Sequence, residues 1–249
     1  MICDKYVESV NVVENKSYSF SHKGKRLYNE DFYIADDLEG IYIITDGMGG
    51  YKGGNLACRI AAQACYNYLI QNKEVAGDEL IHFIRLQLKE VALAQPEFQF
   101  MGTTLCCLYI RDSSINLIHI GDSKIIIVGD KNYQSTDHTF AQELVNQQLL
   151  KVDEYAHHPM RHILTRCISA RENYNAEYHR IPLKSGLNTF FLCSDGVTES
   201  FSTTEIIQLI RSEPDIHTVL QTIEQSAVKY SQDNSTAIIV ALNYNRTIN

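Results

Sequence analysis

Three apolar runs in the 249-residue chain end in an aspartate followed by a small or polar residue: Asp46 before Gly47, Asp195 before Gly196, and Asp122 before Ser123. A fourth, Asp233, stands with Asn234 just ahead of another apolar run. Side chains at the ends of neighbouring strands can converge although they are far apart in sequence, so these positions are candidates for one cluster. Bare carboxylates repel one another by roughly 4 kcal/mol per pair at about 4 Å and an effective dielectric near ~20, and a divalent cation removes that cost. An all-oxygen donor set is hard and favours magnesium or manganese over zinc. Two such ions sharing a carboxylate and a water would acidify the water and clamp a phosphoryl group for in-line attack. A single Asp-Gly pair is more often only a turn after a strand. Four Asp sites in one chain, joined to a further motif, favour ligands instead. That motif is Arg26-Leu27-Tyr28-Asn29-Glu30-Asp31, a guanidinium four residues before an acidic pair. An Arg fork suits bidentate phosphate recognition, although alone such a cluster is usually a surface ion pair.

The elements that must position these residues follow from periodicity. Residues 40–45, 103–110, 115–120, 124–128, 189–193 and 236–242 are alternating or wholly apolar and rich in β-branched types, which predicts strands. The three between 103 and 128 are separated by too few residues for a helical crossover, so an antiparallel meander is expected. Leu56, Ile60, Ala64 and Tyr68, and then Leu80, Ile81, Ile84, Leu88 and Val91, recur at helical spacing. A later helix pair starts at Ser202, where Ser202 and Glu205 form a capping box, and continues from Pro214 through Tyr230. Strands bracketing two helix pairs predict an α+β layered domain. Residues 130–186 hold one helical pattern (Phe140, Leu144, Leu149) and the His-rich stretch 155–162, and are expected to form an inserted lobe over the main body.

A net charge of −8 and a pI near 5.6 argue against a general nucleic-acid binder, which needs a surplus of Lys and Arg on one face. Asp4, Lys5, Glu8, Glu14 and Lys16 interrupt the first twenty residues, so no secretory signal is expected, and no apolar run approaches membrane-spanning length. Seven cysteines without C-x-x-C spacing are expected as buried free thiols in a reducing, cytoplasmic compartment. No linker, repeat or low-complexity tract divides the chain, so residues 1–249 are expected to be one domain.

In order, the motifs are Arg26-x-x-Asn29-Glu30-Asp31, TDGMGG (45–50), MGTT (101–104), GDS (121–123), DHT (137–139), HILTR (162–166), CSDGV (193–197) and DNST (233–236). Together they resemble the metal-dependent serine/threonine protein phosphatases of type 2C, bacterial branch. The resemblance runs from about residue 21 to 242, and such a series is far more specific than any one member of it. It implies a four-layer α-β-β-α sandwich, with two mostly antiparallel sheets flanked by helix pairs and the metals at one end. It further implies that Asp46 bridges two Mn or Mg ions, that Asp195 and Asp233 complete the first, and that Glu30 and the carbonyl of Gly47 serve the second. Asp31 would act through bound water, Asp122 and Asp195 would hold a third, weaker ion, and Arg26 would bind phosphate. The insert at about 130–186 corresponds to a mobile flap that influences substrate choice. Phosphorylated protein substrates of a serine/threonine kinase in the same cell are the implied partners, with neither nucleic acid nor membrane, and a monomer is expected.

Two positions depart from the family pattern. Met48 stands where the animal branch has a proton-donating His, which leaves the general acid unassigned, water on the third metal being one candidate. Asn55 stands where an acidic residue is common, and an effect on loop packing rather than chemistry is expected. A nucleotide-binding glycine loop fits poorly, because Lys52 falls where G-x-G-x-x-G needs its last glycine and no P-loop motif exists. Cysteine-based phosphatase chemistry lacks its Arg. The histidines show no H-E-x-x-H spacing, but His157, His158 and His162 in the insert could touch substrate. The remaining alternative is a catalytically silent binding or regulatory module of the same fold; loss of metal ligands would mark it, and Asp46, Asp195, Asp233 and Arg26 are all present.

Overall fold

A computed structural model describes residues 10–48 and 52–246 of the protein. The glycine-rich segment 49–51 and the charged positions Asp4, Lys5 and Glu8 lie outside these described residues. In chain order the strands are β1 (Val10–His22), β2 (Asp31–Asp36), β3 (Ile41–Met48), β4 (Gly102–Thr103), β5 (Leu105–Arg111), β6 (Ser114–Ile120), β7 (Lys124–Val128), β8 (Tyr133–Gln134), β9 (Ile168–Ser169), β10 (Glu177–Pro182), β11 (Gly186–Cys193) and β12 (Ser235–Arg246). The helices are α1 (Lys52–Gln71), α2 (Gly77–Ala94), α3 (Phe140–Asn146), α4 (Val152–Tyr155), α5 (Asp195–Thr198), α6 (Thr203–Ser212) and α7 (Ile216–Tyr230). One sheet runs β1-β12-β11-β7-β8, and the other β10-β6-β5-β3-β4-β9 with β2 also paired to β3. Every pairing is antiparallel.

Burial on both faces explains the wholly apolar strand sequences. Successive side chains point to opposite faces, so Tyr42 and Ile44 of β3 meet Phe190 and Leu192 of β11 and Ile238 and Val240 of β12 between the sheets. Ile41 and Ile43 point outward and pack under Ala57, Ala61 and Cys65 of α1 and Leu80, Ile84 and Leu88 of α2. On the far side Phe191, Ala237 and Ile239 pack under Ile206 of α6 and Val219 and Ile223 of α7. The outcome is the α-β-β-α sandwich. The capping box holds as read: Ser202 Oγ accepts from the Glu205 N–H at 3.3 Å, and the Glu205 carboxylate accepts from the Ser202 N–H at 2.8 Å.

The expected meander is corrected. β5 and β6 do pair, from Leu105–Ile120 to Arg111–Ser114, but β7 pairs with β11 in the other sheet. Gly121 makes the switch, with φ at +112° and a position where a Cβ would fall 2.5 Å from Thr104 Cγ2. A strand buried on both faces carries no signal for which sheet it joins, so periodicity could not reveal this crossing. The stretch 130–186 divides in two. A bridge between Thr139 and Leu164 closes a loop that holds α3, α4 and the His-rich turns, whereas 177–182 joins the second sheet as β10, paired to β6 along its length.

Candidate active site

The crossing between sheets and the strand ends open onto the same place. Asp46 lies near the end of β3, and the register sets Asp31 of β2 directly across from it. Asp195 follows β11, Asp233 precedes the adjacent antiparallel strand β12, and Asp122 sits in the turn that changes sheets. A cleft of about 350 Å³ is lined by Asp46, Asp122, Asp195, Asp233 and Arg26, together with Met48, Thr104 and Glu199. From the insert come His162 and Leu164. His162 Nδ1 stands 3.5 Å from Asp195 Oδ2, while His157 and His158 are not among the lining residues. Glu30, Asp31 and Gly47 are not among the residues that line the cleft.

Short polar residues at strand ends fix the Asp46 backbone and the Asp31 carboxylate. The Asp46 N–H donates to Thr104 Oγ1 at 3.0 Å, and its carbonyl accepts from Thr103 Oγ1 at 3.0 Å and from the Thr104 N–H at 2.9 Å. Ser194 Oγ donates to Asp31 Oδ2 at 2.7 Å. Asn234 anchors the loop that bears the Arg-Asn-Glu-Asp motif: its Oδ1 accepts from the Glu30 N–H at 2.8 Å, and its Nδ2 donates to the carbonyls of Lys23 and Tyr28 at 2.8 and 2.9 Å. Asn55 Nδ2 donates to the Asn29 carbonyl at 2.7 Å, so this departure from the family pattern serves the same loop. Thr104, Ser194 and Asn234 had no role assigned from sequence, although each belongs to a motif. Their only sequence signal is a polar residue at the border of an apolar run.

The electrostatics are those of a cation site. Burial, with Asp31 and Asp195 adding to it, pushes the Asp46 carboxyl well above the usual carboxylate range. Asp122 is raised in the same way by burial and then by Asp195, and Asp31 is pushed up to about 7, mainly by burial. Burial also raises Glu30. Asp31 Oδ1 and Glu30 Oε1 are buried with no hydrogen-bond partner. Orphaned acceptors of this kind cost about 1–3 kcal/mol each, and a bound cation would satisfy them. One oxygen each of Asp122 and Asp195 and a nitrogen of His162 lie within 4.8 Å of one another. The donor set therefore fits Mn or Mg, with hard carboxylate oxygens in the majority. At the rim, Arg26 Nε and Nη2 grip Asp233 at 2.8 and 2.5 Å, and that hydrogen bonding raises the guanidinium pKa further. With 60% of its side chain exposed, Arg26 keeps a face open toward the cleft mouth.

A sandwich that delivers carboxylates from both sheets to one oxygen-rich cleft, with a guanidinium at its rim, has the architecture of a metal-dependent phosphate-ester hydrolase. Comparison with known proteins makes the class specific. The protein phosphatase 2C family profile matches residues 20–234. Protein phosphatase PhpP of Streptococcus pneumoniae is 30% identical over 231 residues, covering 88% of this chain and 94% of that one. The serine/threonine phosphatase PstP/Ppp of Mycobacterium tuberculosis superposes with a TM-score of 0.84 at 24% identity, covering 93% of this chain and all (100%) of that one. The catalytic domain of PstP in complex with two manganese ions superposes with a TM-score of 0.79 at 23% identity, covering 92% and 99%. The chain belongs to the protein phosphatase 2C family.

Proposed function

We propose that this protein removes phosphate from phosphoserine and phosphothreonine side chains of proteins. The observation that carries the reading is the convergence of Asp46, Asp122, Asp195 and Asp233 with Arg26 on a single cleft. In this reading Asp46, Asp195 and Asp233 would hold one Mn or Mg ion, and Asp46, Glu30 and the Gly47 carbonyl would serve a second. Asp31 would act on them through bound water, and Asp122 with Asp195 would hold a third, weaker ion. When bound, the ions supply an acidified water and offset the charge of the phosphoryl group. Arg26, whose Nε and Nη2 already bond Asp233, would hold phosphate at the rim through its remaining N–H groups. Thr104 and Ser194 keep Asp46 and Asp31 in place, so that little reorganisation is needed when charge develops. Met48 lines the cleft and offers no proton, so the side chain at 48 is not the general acid.

The substrates are assigned to the targets of a serine/threonine kinase of the same cell. The protein is assigned to the cytoplasm as a monomer, a single catalytic domain with residues 130–186 as its flap region. No described helix is long and apolar enough to cross a membrane. Phosphate release from phosphoserine and phosphothreonine peptides, measured with manganese and with EDTA, tests the reading. Turnover is expected only with metal, and Asp46→Asn is expected to lower kcat by more than the ~10–100-fold typical of outer-shell changes. Full turnover in EDTA would sink the metal assignment.

A further inference from the structure

All three residues of the DHT segment, 137–139, are buried; Asp137 lines a cavity that adjoins the catalytic cleft and shares Asp122 and Asp195 with it, whereas His138 and Thr139 line neither. Asp137 is occupied by Lys124 and by Tyr155 Oη of the insert at 2.5 Å, and Thr139 Oγ1 caps α3 by accepting from the Gln142 N–H at 3.3 Å. His138 turns toward the sheet crossing. Its N–H donates to the Gly121 carbonyl at 2.9 Å, and its Nδ1 accepts from the Gly121 N–H at 3.1 Å. One residue thus holds both polar groups of Gly121. On the other side of Asp122, the Ser123 carbonyl accepts from His119 Nε2 at 2.9 Å, and the Ser123 hydroxyl bonds Thr104 Oγ1 at 2.8 Å. Thr104 is also the acceptor for the Asp46 N–H, so the same network reaches both aspartates.

The tautomer of His138 follows from its partners. Since the Gly121 N–H points at Nδ1, the lone pair is there and the proton sits on Nε2, directed at Glu177 Oε1 at 3.3 Å. His119, His138 and Glu177 lie within cation-binding distance of one another, with ligand atoms inside 4.8 Å. His138, however, has no lone pair to spare for a metal while Gly121 uses one nitrogen and the proton occupies the other. A carboxylate, an imidazole and a backbone amide in line are instead an arrangement that fixes a ring and whatever the ring holds.

We propose that His138, oriented by Glu177, is a positioning residue that aims Asp122 at the weaker cation site. This rests on Asp122 being a ligand there. The test is manganese binding to the full chain by calorimetry, with thermal unfolding run in parallel, for wild type, His138→Leu, His138→Asn, Glu177→Leu and Asp122→Asn. Asn places an amide oxygen near the position of Nδ1 and can still accept from Gly121; Leu cannot. His138→Leu is expected to weaken the low-affinity manganese step by about 10–100-fold and leave the tight steps unchanged. His138→Asn, which keeps the bond to Gly121 but not the one to Glu177, is expected to lose less than His138→Leu and to match Glu177→Leu. Wild-type binding by His138→Leu, or equal damage in the Asn and Leu variants, overturns the proposal. Should His138→Leu fail to fold, Glu177→Leu decides: an unchanged weak step in that variant overturns it as well. If Asp122→Asn leaves the weak step intact, or wild type has none, the underlying site assignment falls; if Asp122→Asn abolishes it and the His138 and Glu177 variants do not, the positioning role alone falls.

Discussion

Asp31 is buried across from Asp46, with one oxygen bonded to Ser194 and the other without a partner. Its carboxyl, ordinarily near 3.8, is pushed up to about 7 mainly by burial. Between those two values the folded protein holds a proton that the unfolded chain has released. Protonation of Asp31 therefore stabilises the fold in acid, and the contribution is lost as pH rises through about 7. In EDTA the wild type is expected to lose up to about 1.4 kcal/mol of stability per pH unit between about 4 and 7 relative to Asp31→Asn, which mimics the protonated form, and to run parallel to it above about 7. Saturating manganese should abolish or reverse that difference. His119, pushed down to about 3 by burial, favours unfolding in acid in both proteins alike and cancels from the comparison. Thermal unfolding from about pH 4 to 8 makes the measurement, and parallel curves for the two proteins below about pH 7 in EDTA would refute the assignment.

At the scale of elements, the start of α1 presses against the end of β3. A Cβ on Gly47 would fall 2.5 Å from Gly54 C, and one on Gly54 would fall 2.4 Å from Glu30 Oε1. Two side-chain-free positions thus let helix, strand and the Glu30 loop close on one another, which leaves Glu30 Oε1 buried beside the cleft. Gly54→Ala is expected to displace the flexible Glu30 carboxylate and weaken manganese binding by about tenfold, as outer-shell changes do. Alanine gains up to about 1 kcal/mol of helix propensity over glycine, but its Cβ would also sit 3.0 Å from Gly47 C, so gain and crowding offset and the unfolding midpoint should change little. Calorimetry and a thermal melt of the same sample separate the two effects; manganese binding equal to wild type would show that Glu30 takes no part.

The whole molecule divides by packing. Three clusters of buried residues fill the space between the sheets and beneath the two helix layers. The loop closed by Thr139 and Leu164 leaves Leu149, Val152, Met160 and Ile163 exposed. It is tied down by few contacts, among them Tyr155 Oη to Asp137 and the Phe140 N–H to the Ile163 carbonyl at 2.8 Å. Few buried contacts mean a low local opening free energy. In hydrogen exchange, peptides from 140–164 are expected to exchange well before those from β5 and β11. Equal protection would make this loop part of the rigid core.

Apolar runs and aspartates at their ends were enough to read the central strands, both helix pairs and the Ser202 cap, and to single out Asp46, Asp122, Asp195 and Asp233, which line one cleft, because period and residue type act locally. The edge strands were not legible. β10 is mostly exposed and β1 carries Asn, Lys and Ser among its apolar residues, so neither shows an uninterrupted apolar signal. Which sheet β7 joins was likewise undetermined, since both faces of either sheet are buried. Only the tertiary structure decided that Arg26 grips Asp233, that Asn234 holds the Glu30 loop, and that His138 and Glu177 brace the turn bearing Asp122. Those contacts join residues 39 to 207 positions apart or bracket a turn from a different element, and no periodicity along a chain encodes which distant polar groups will meet once the core has closed.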